Sequence, residues 1–190
     1  LPSAKVGLPE VKLGLLPGAG GTQRLPRLVG AQKALEMITS GNFVGARDAL
    51  ALGIVDAVEA GDDIRQVGLA YAQKLAGEGA PVRRVRDIAD KVEADKGSDV
   101  FDQFRAGLAK KARGLFSPFK CVDAVEAAFT LPFAEGLKRE RELFKECMES
   151  PQRAGLVHSF FAEREVSKVK GLAKDTPVRE VKSVGIIGAG

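Results

Sequence analysis

The chain has no tryptophan, one tyrosine, one histidine and two cysteines among its 190 residues. With aromatic residues at only 6%, the interior has to be packed from aliphatic side chains and alanine. Cys121 and Cys147 lie far apart, with no Cys-x-x-Cys spacing and no histidine partner, a pattern that fits a reduced, intracellular chain. His158 lacks a second histidine or cysteine at ligand spacing, so it reads as structural or surface and no metal is expected. No apolar run approaches the roughly 20 residues that span a bilayer, and the opening Leu-Pro-Ser-Ala-Lys lacks the basic-then-apolar order of a signal peptide. A membrane partner is therefore not expected. Nor is nucleic acid: net charge is only +4, and the clusters Arg83-Arg84-x-Arg86 and Lys110-Lys111-x-Arg113 are offset by acidic residues spread along the chain.

What is present is enough apolar content, 45%, to bury a core of one or two domains, and one stretch that looks built for chemistry. Residues 6–25 read Val-Gly-Leu-Pro-Glu-Val-Lys-Leu-Gly-Leu-Leu-Pro-Gly-Ala-Gly-Gly-Thr-Gln-Arg-Leu. Pro9 restricts Leu8 to an extended conformation and fixes its own φ, so Glu10 is presented from a rigid corner. Pro17, Gly18, Ala19, Gly20, Gly21 and Thr22 then make a turn with little side-chain bulk, which lets a ligand approach the backbone. Gly20 to Thr22 reads as a helix entry whose free N–H groups favour a negative partner. The loop ends Gly-Gly-Thr-Gln-Arg and not Gly-Lys-Ser/Thr, which excludes a nucleotide phosphate loop. From the residues alone, a structural turn and a functional site stay equally open.

Along the chain, residues 5–8 read as a strand and 10–16 as a helical turn. Residues 22–40 read as two helical pieces interrupted by Pro26 and Gly30. Residues 46–52 make a short helix with Gly53 at its C′ position, followed by a β-branched strand over 54–58. Another helix covers 62–76, and 81–97 reads as a surface connection. The second half predicts four helices in series: Ser98 or Asp99 caps the first, Ser117-Pro118 opens the second, Thr130-Leu-Pro132 the third and Ser150-Pro151 the fourth. Phe101, Phe104, Phe129, Phe133, Phe144, Phe160 and Phe161, at helical spacing, read as core. Glu126, Glu135, Glu140, Glu142 and Glu146, interleaved with Lys138, Arg139, Arg141 and Lys145, read as a solvent face.

Gly7, Pro9 and Glu10, followed by Pro17, Gly18, Ala19, Gly20, Gly21, Thr22, Gln23, Leu25 and Arg27, resemble the second active-site segment of the crotonase (enoyl-CoA hydratase/isomerase) superfamily. The resemblance implies that Glu10 is one of two catalytic carboxylates and that Gly18 contributes a backbone N–H holding the reacting water. Residues 39–56 look like the family's stretch after the active site, with Arg47 and Asp48 on a solvated helix face. The family's first catalytic glutamate and its oxyanion-hole donors come from upstream segments that this sequence does not contain. Basic residues would then serve the phosphates of CoA.

Residues 171–180 are polar and carry Pro177, like a linker, and 181–190 read Val-Lys-Ser-Val-Gly-Ile-Ile-Gly-Ala-Gly. An apolar strand ending in Gly188 and Gly190 is how a dinucleotide-binding unit opens. The order resembles multifunctional fatty-acid oxidation proteins, in which a hydratase/isomerase region precedes an NAD-dependent 3-hydroxyacyl-CoA dehydrogenase. Phe160-Phe-Ala-Glu-Arg164 looks like the linker helix of the peroxisomal bifunctional type.

These resemblances imply an α/β chain, the C-terminal half of a crotonase-type ββα spiral followed by mostly α-helical linker and ending in the first strand of a Rossmann-type domain. The expected division is 1–80 for the crotonase half, 81–170 for the helical region and linker helix, and 171–190 for the linker and first strand of the dehydrogenase. The expected chemistry, in an intact parent, is hydration of 2-enoyl-CoA to 3-hydroxyacyl-CoA, with isomerisation of 3-enoyl-CoA if the same carboxylates shuttle a proton, and NAD-dependent oxidation of the product. CoA thioester is the substrate and acyl-CoA the partner. As an internal fragment the chain is expected to be inactive, to bind no NAD by itself, and to form homo-oligomers through apolar faces at Val6, Leu8, Ile54 and Val58. The location implied is cytoplasmic for a bacterial source and peroxisomal for a eukaryotic one. A monofunctional hydratase, or a non-catalytic CoA-binding or assembly module of the same fold, are the alternatives.

Overall fold

The computed structural model describes residues 1–188 except Ser167, Lys170, Lys174 and Val178, and Ala189 and Gly190 lie outside it. The described part is mostly helical. Its first helices, α1 (Gly21–Val29) and α2 (Ala31–Ser40), are divided at Gly30, whose φ of 81° and ψ of 174° suit glycine alone. Pro26, expected to interrupt as well, lies inside α1. Its ring is fully buried, and that packing offsets the one helical hydrogen bond it cannot donate. On α2, Ala31, Ala34, Leu35 and Ile38 form the buried stripe, and Gly41 ends the helix in the left-handed region at φ 62°.

Two residues of strand, β1 (Lys5–Val6), pair antiparallel with β2 (Val44–Gly45) in the register Lys5 to Gly45 and Val6 to Val44. This ribbon is the whole described sheet, so the α/β expectation reduces to a helical body with a short β clip. Helix α3 (Ala46–Ala51) ends as expected. Gly53 takes φ 73° and donates to the Leu50 carbonyl at 3.0 Å, while the Ile54 N–H reaches back to Ala49 at 2.8 Å. That cap consumes the first N–H of the strand expected over 54–58, and the segment is irregular; β-branched residues do not make a strand without a neighbour.

Helix α4 (Ile64–Gly77) is capped by Asp63, which accepts from the N–H groups of Arg65 and Gln66, yet it buries none of its residues. The stretch 81–97 is more than a surface connection. It holds a 3-10 helix, Val85–Asp87, and α5 (Asp90–Ala94), from which Val92 packs into the core against α1. Asp95 then accepts from the Ala31 N–H at 2.7 Å and so caps α2 from outside.

Four further helices follow: α6 (Val100–Lys111), α7 (Ser117–Thr130), α8 (Phe133–Glu149) and α9 (Pro151–Val166). Ser117 is the first residue of α7 and not its cap, whereas the Ser150 hydroxyl does accept from the Arg153 N–H at 3.2 Å ahead of α9. Helix α7 is the centre, burying Cys121, Val122, Val125 and Phe129 and packing against α1, α2, α6 and α8. The Arg105 guanidinium of α6 pairs with Asp123 at 2.9 Å and Glu126 at 2.5 Å on α7. Leu16, Leu35, Ile38, Val122, Val125 and Leu143 are fully buried, the aliphatic core that the composition demanded. Phe101 and Phe129 meet edge to face at 5.3 Å. Phe160 and Phe161, expected in the core, are exposed because α9 buries none of its residues.

Leu8 and Ile54 are half-buried and pack against the core, and Val6 and Val58 are also half-buried. Larger apolar residues that are exposed include Phe43, Ile64, Leu69, Val82 and Phe161. Residues 181–188 form no strand; Val184, Ile186 and Ile187 lie in solvent, since a single strand has no ladder to join.

Both cysteines are free and buried. Burial pushes the Cys121 thiol well up, and burial pushes the Cys147 thiol to about 11 from an ordinary 9.0.

Two outcomes are expected. An added Cβ at Gly41 would sit at positive φ and 3.1 Å from the Pro9 Cα, whereas at Gly45 it would meet nothing within 4 Å. Gly41→Ala should therefore cost about 1–3 kcal/mol, read as a melting temperature lower by roughly 2–4 °C per kcal/mol, and Gly45→Ala should melt like the parent. Because Cys147 holds its proton to about pH 11 when folded and loses it near its ordinary 9.0 when unfolded, its contribution to stability is complete below pH 9 and declines as pH rises towards 11. Urea titrations across that window should show the decline, to which the buried Cys121 thiol adds in the same direction, and Cys147→Ala should make it shallower without abolishing it.

Candidate active site

Leu8, extended at φ −127° and ψ 83°, leads into Pro9, the first residue of the 3-10 helix Pro9–Leu13 that carries Glu10. The turn closes on Gly14 at φ 73°, with the Gly14 N–H on the Val11 carbonyl at 3.0 Å and the Leu15 N–H on the Glu10 carbonyl at 3.1 Å. Tertiary contacts hold this corner from two sides. Pro9 lies against Gly41 at the end of α2, and the Arg153 Cα of α9 lies 2.9 Å from where a Gly14 Cβ would be. Glu10 is half-buried. Its Oε2 is buried with no hydrogen-bond partner in the protein. A buried acceptor left unmatched costs about 1–3 kcal/mol, and the Gln23 Oε1 and the Arg153 Nε are buried without a partner as well.

The glycine loop sits between this corner and α8. Gly18 and Ala19 are exposed, while Gly20 and Thr22 are buried. The Phe144 ring occupies the place of a Gly18 side chain, 2.6 Å from an ideal Cβ. Gly20, at φ 84°, precedes α1. The negative partner expected at this helix entry comes from the chain itself. Glu140 of α8, only 2% exposed, accepts from the Gly20 N–H at 2.7 Å, the Thr22 N–H at 3.1 Å and the Thr22 hydroxyl at 2.5 Å. The solvent-face reading of Glu140 is thus overturned, although Glu135 and Glu142 do keep exposed pairs with Lys138 and Arg139. A signal was available: Gly136, Glu140, Leu143 and Cys147 are spaced by four, three and four, one buried helical face.

Neighbouring groups complete the seat. Gln23 donates to the Ala124 carbonyl at 2.7 Å and to the Thr22 hydroxyl at 3.0 Å, and its amide lies where a side chain on Gly136 would be. Arg24 donates to the Ala19 carbonyl at 2.8 Å. Arg27, whose pKa burial lowers, donates to the Gln23 carbonyl at 2.7 Å and lies over the Phe133 ring at 5.0 Å. A cavity of about 660 Å³ beside Arg27, Val92, Phe101 and Phe129 does not include Glu10 in its lining.

Of the residues singled out for a cofactor, Gly188 has φ 70° and open space around it, and Gly190 lies outside the described residues. Residues 181–188 form no strand. His158 is exposed. Among the described residues, no three His, Cys, Asp or Glu side chains gather as a metal site, and no helix is long and apolar enough to cross a membrane.

The sequence model for enoyl-CoA hydratase/isomerase matches residues 2–106. A peroxisomal bifunctional enzyme of Danio rerio is 44% identical over 192 residues, covering 98% of this chain and 26% of that protein. The peroxisomal bifunctional enzyme of Homo sapiens is 39% identical over 193 residues, with 98% and 26% covered. A glyoxysomal fatty acid beta-oxidation multifunctional protein of Cucumis sativus is 36% identical over 191 residues, with 100% and 26% covered. The chain therefore spans about a quarter of the length of these curated relatives. Among solved structures, an enoyl-CoA hydratase of Geobacillus kaustophilus HTA426 aligns at 28% identity over 84% of this chain and 49% of that one, with a TM-score of 0.35, too low to bear on the fold.

Proposed function

The chain belongs to the enoyl-CoA hydratase/isomerase family, and on that premise we propose that Glu10 is one of the two carboxylates that add water across the 2,3 double bond of an enoyl-CoA. The observation that carries this reading is the buried, unpartnered Glu10 Oε2 on a corner held between α2 and α9. A carboxyl group so placed is available to a proton on a substrate carbon, and its backbone is held still while the proton moves. In the proposed step the oxygen of water bonds to the β-carbon, and the Glu10 carboxyl gives its proton to the α-carbon and is left as carboxylate. The second carboxylate takes the proton released by the water. The Gly18 N–H, on the exposed side of the loop, holds the water. The enolate-like state also needs donors on the thioester oxygen. In this reading those donors and the second carboxylate belong to the remainder of a protein of the relatives' length.

The wider reading is a β-oxidation enzyme of the bifunctional type, peroxisomal in a eukaryotic source, acting on acyl-CoA. Residues 1–80 form part of its hydratase region, 81–170 the helical region and linker helix, and 171–190 lead through Gly188 and Gly190 into an NAD-dependent 3-hydroxyacyl-CoA dehydrogenase. The names and coverage of the relatives support this reading. No step of the hydration runs through NAD.

In a protein of the relatives' length carrying this sequence, Glu10→Gln should lower crotonyl-CoA hydration by at least roughly 100-fold, while the 190-residue chain alone should show no turnover. Near-parental turnover of Glu10→Gln would overturn the assignment of Glu10, and no hydration by the parental protein of that length would favour a non-catalytic CoA-binding or assembly role.

A further inference from the structure

We infer that Glu140 is a positioning residue for the water-holding loop, setting the place of the Gly18 N–H from behind through Gly20 and Thr22. The inference rests on the reading of Gly18 given above. Both carboxylate oxygens of Glu140 are used, and all three donors, the Gly20 N–H, the Thr22 N–H and the Thr22 hydroxyl, come from one short segment. A carboxylate that is 2% exposed is costly to bury, and a well-packed apolar residue would serve a purely structural role as well or better. Leu143 and Cys147 do so on the same face of α8. What an apolar residue cannot do is fix two amides and a hydroxyl at hydrogen-bond distance.

The loop is arranged as such a role requires. Its buried residues, Gly20 and Thr22, face Glu140, while Gly18 and Ala19 are exposed. Phe144, one turn along α8 from Glu140, presses its ring where a Gly18 side chain would be, and Arg24 ties down the Ala19 carbonyl at 2.8 Å. Residues 18–20 are therefore held by three side chains that touch no reacting atom in the proposed chemistry. The same geometry speaks against the α1 entry serving as a phosphate site, because Glu140 already occupies its donors.

The test pairs two readouts. In the ¹⁵N-labelled chain, Glu140→Gln keeps the size of the side chain but turns one of its two acceptors into a donor. The Gly18, Ala19 and Gly20 amide resonances should shift, and the Gly20 amide should exchange faster. In the protein of the relatives' length, the same variant should lose about 10–100-fold in kcat for crotonyl-CoA with KM within about twofold, the pattern of lost transition-state alignment. If Glu140→Gln does not fold, Thr22→Val, which removes only the hydroxyl donor, should shift the same resonances and lower kcat by a smaller factor. Unmoved Gly18 and Ala19 amides overturn the inference. So does parental kcat in a folded Glu140 variant while Glu10→Gln remains crippled. If Glu10→Gln is itself without effect, the functional reading fails, and the amide shifts still decide whether Glu140 sets the loop.

Discussion

The carboxylate of Glu140 joins the two ends of the described fold. It reaches from α8 to the N-terminus of α1 across 120 residues of sequence and satisfies two amides there that no cap of α1 itself can meet. A helix entry made of glycines is flexible in the unfolded chain and loses much entropy on ordering. Its order in the folded state therefore depends on partners from elsewhere. Glu140, Phe144 and the Gly136 seat for Gln23 all come from one face of α8, so the glycine loop takes its order from the packing of α8.

The Glu10 corner obeys the same logic with different parts. Pro9 limits its entry and Gly14 its exit, but the corner is held because Gly41 lets Pro9 approach and because α9 closes on Gly14. The Glu10 Oε2 is buried without a hydrogen-bond partner, as are the Arg153 Nε of α9 and the Gln23 Oε1 of α1. An unpaired buried oxygen costs stability, and the proposed chemistry needs an uncommitted oxygen at that place.

Much of the local structure was legible. Gly30 and Gly41 end their helices, Ser150 caps α9, and Gly53 closes α3, because capping chemistry acts within a few residues. The family of the Glu10 and glycine-loop segment was legible too, as a motif of twelve named positions. The misses share a cause. The strands expected over 54–58 and 181–190, the latter described to residue 188, required partners that local propensity cannot supply. Pro26 was tolerated inside α1 because its ring is buried, and the stretch 81–97 gained α5 because Val92 found α1 to pack on.

The sequence by itself determined that helices stop at Gly30, Gly41 and Gly53, that the core is aliphatic, and that Glu10 stands on a proline-restricted corner ahead of a glycine loop. Each of these follows from backbone sterics and side-chain chemistry within a few residues. Only the tertiary structure decided that Glu140 is buried and bound to the loop, that the loop's negative partner is internal, and that the Glu10 Oε2 has none. A carboxylate in a charged helix looks the same in sequence whether it faces water or two backbone amides, and which it faces is settled by where the helices pack.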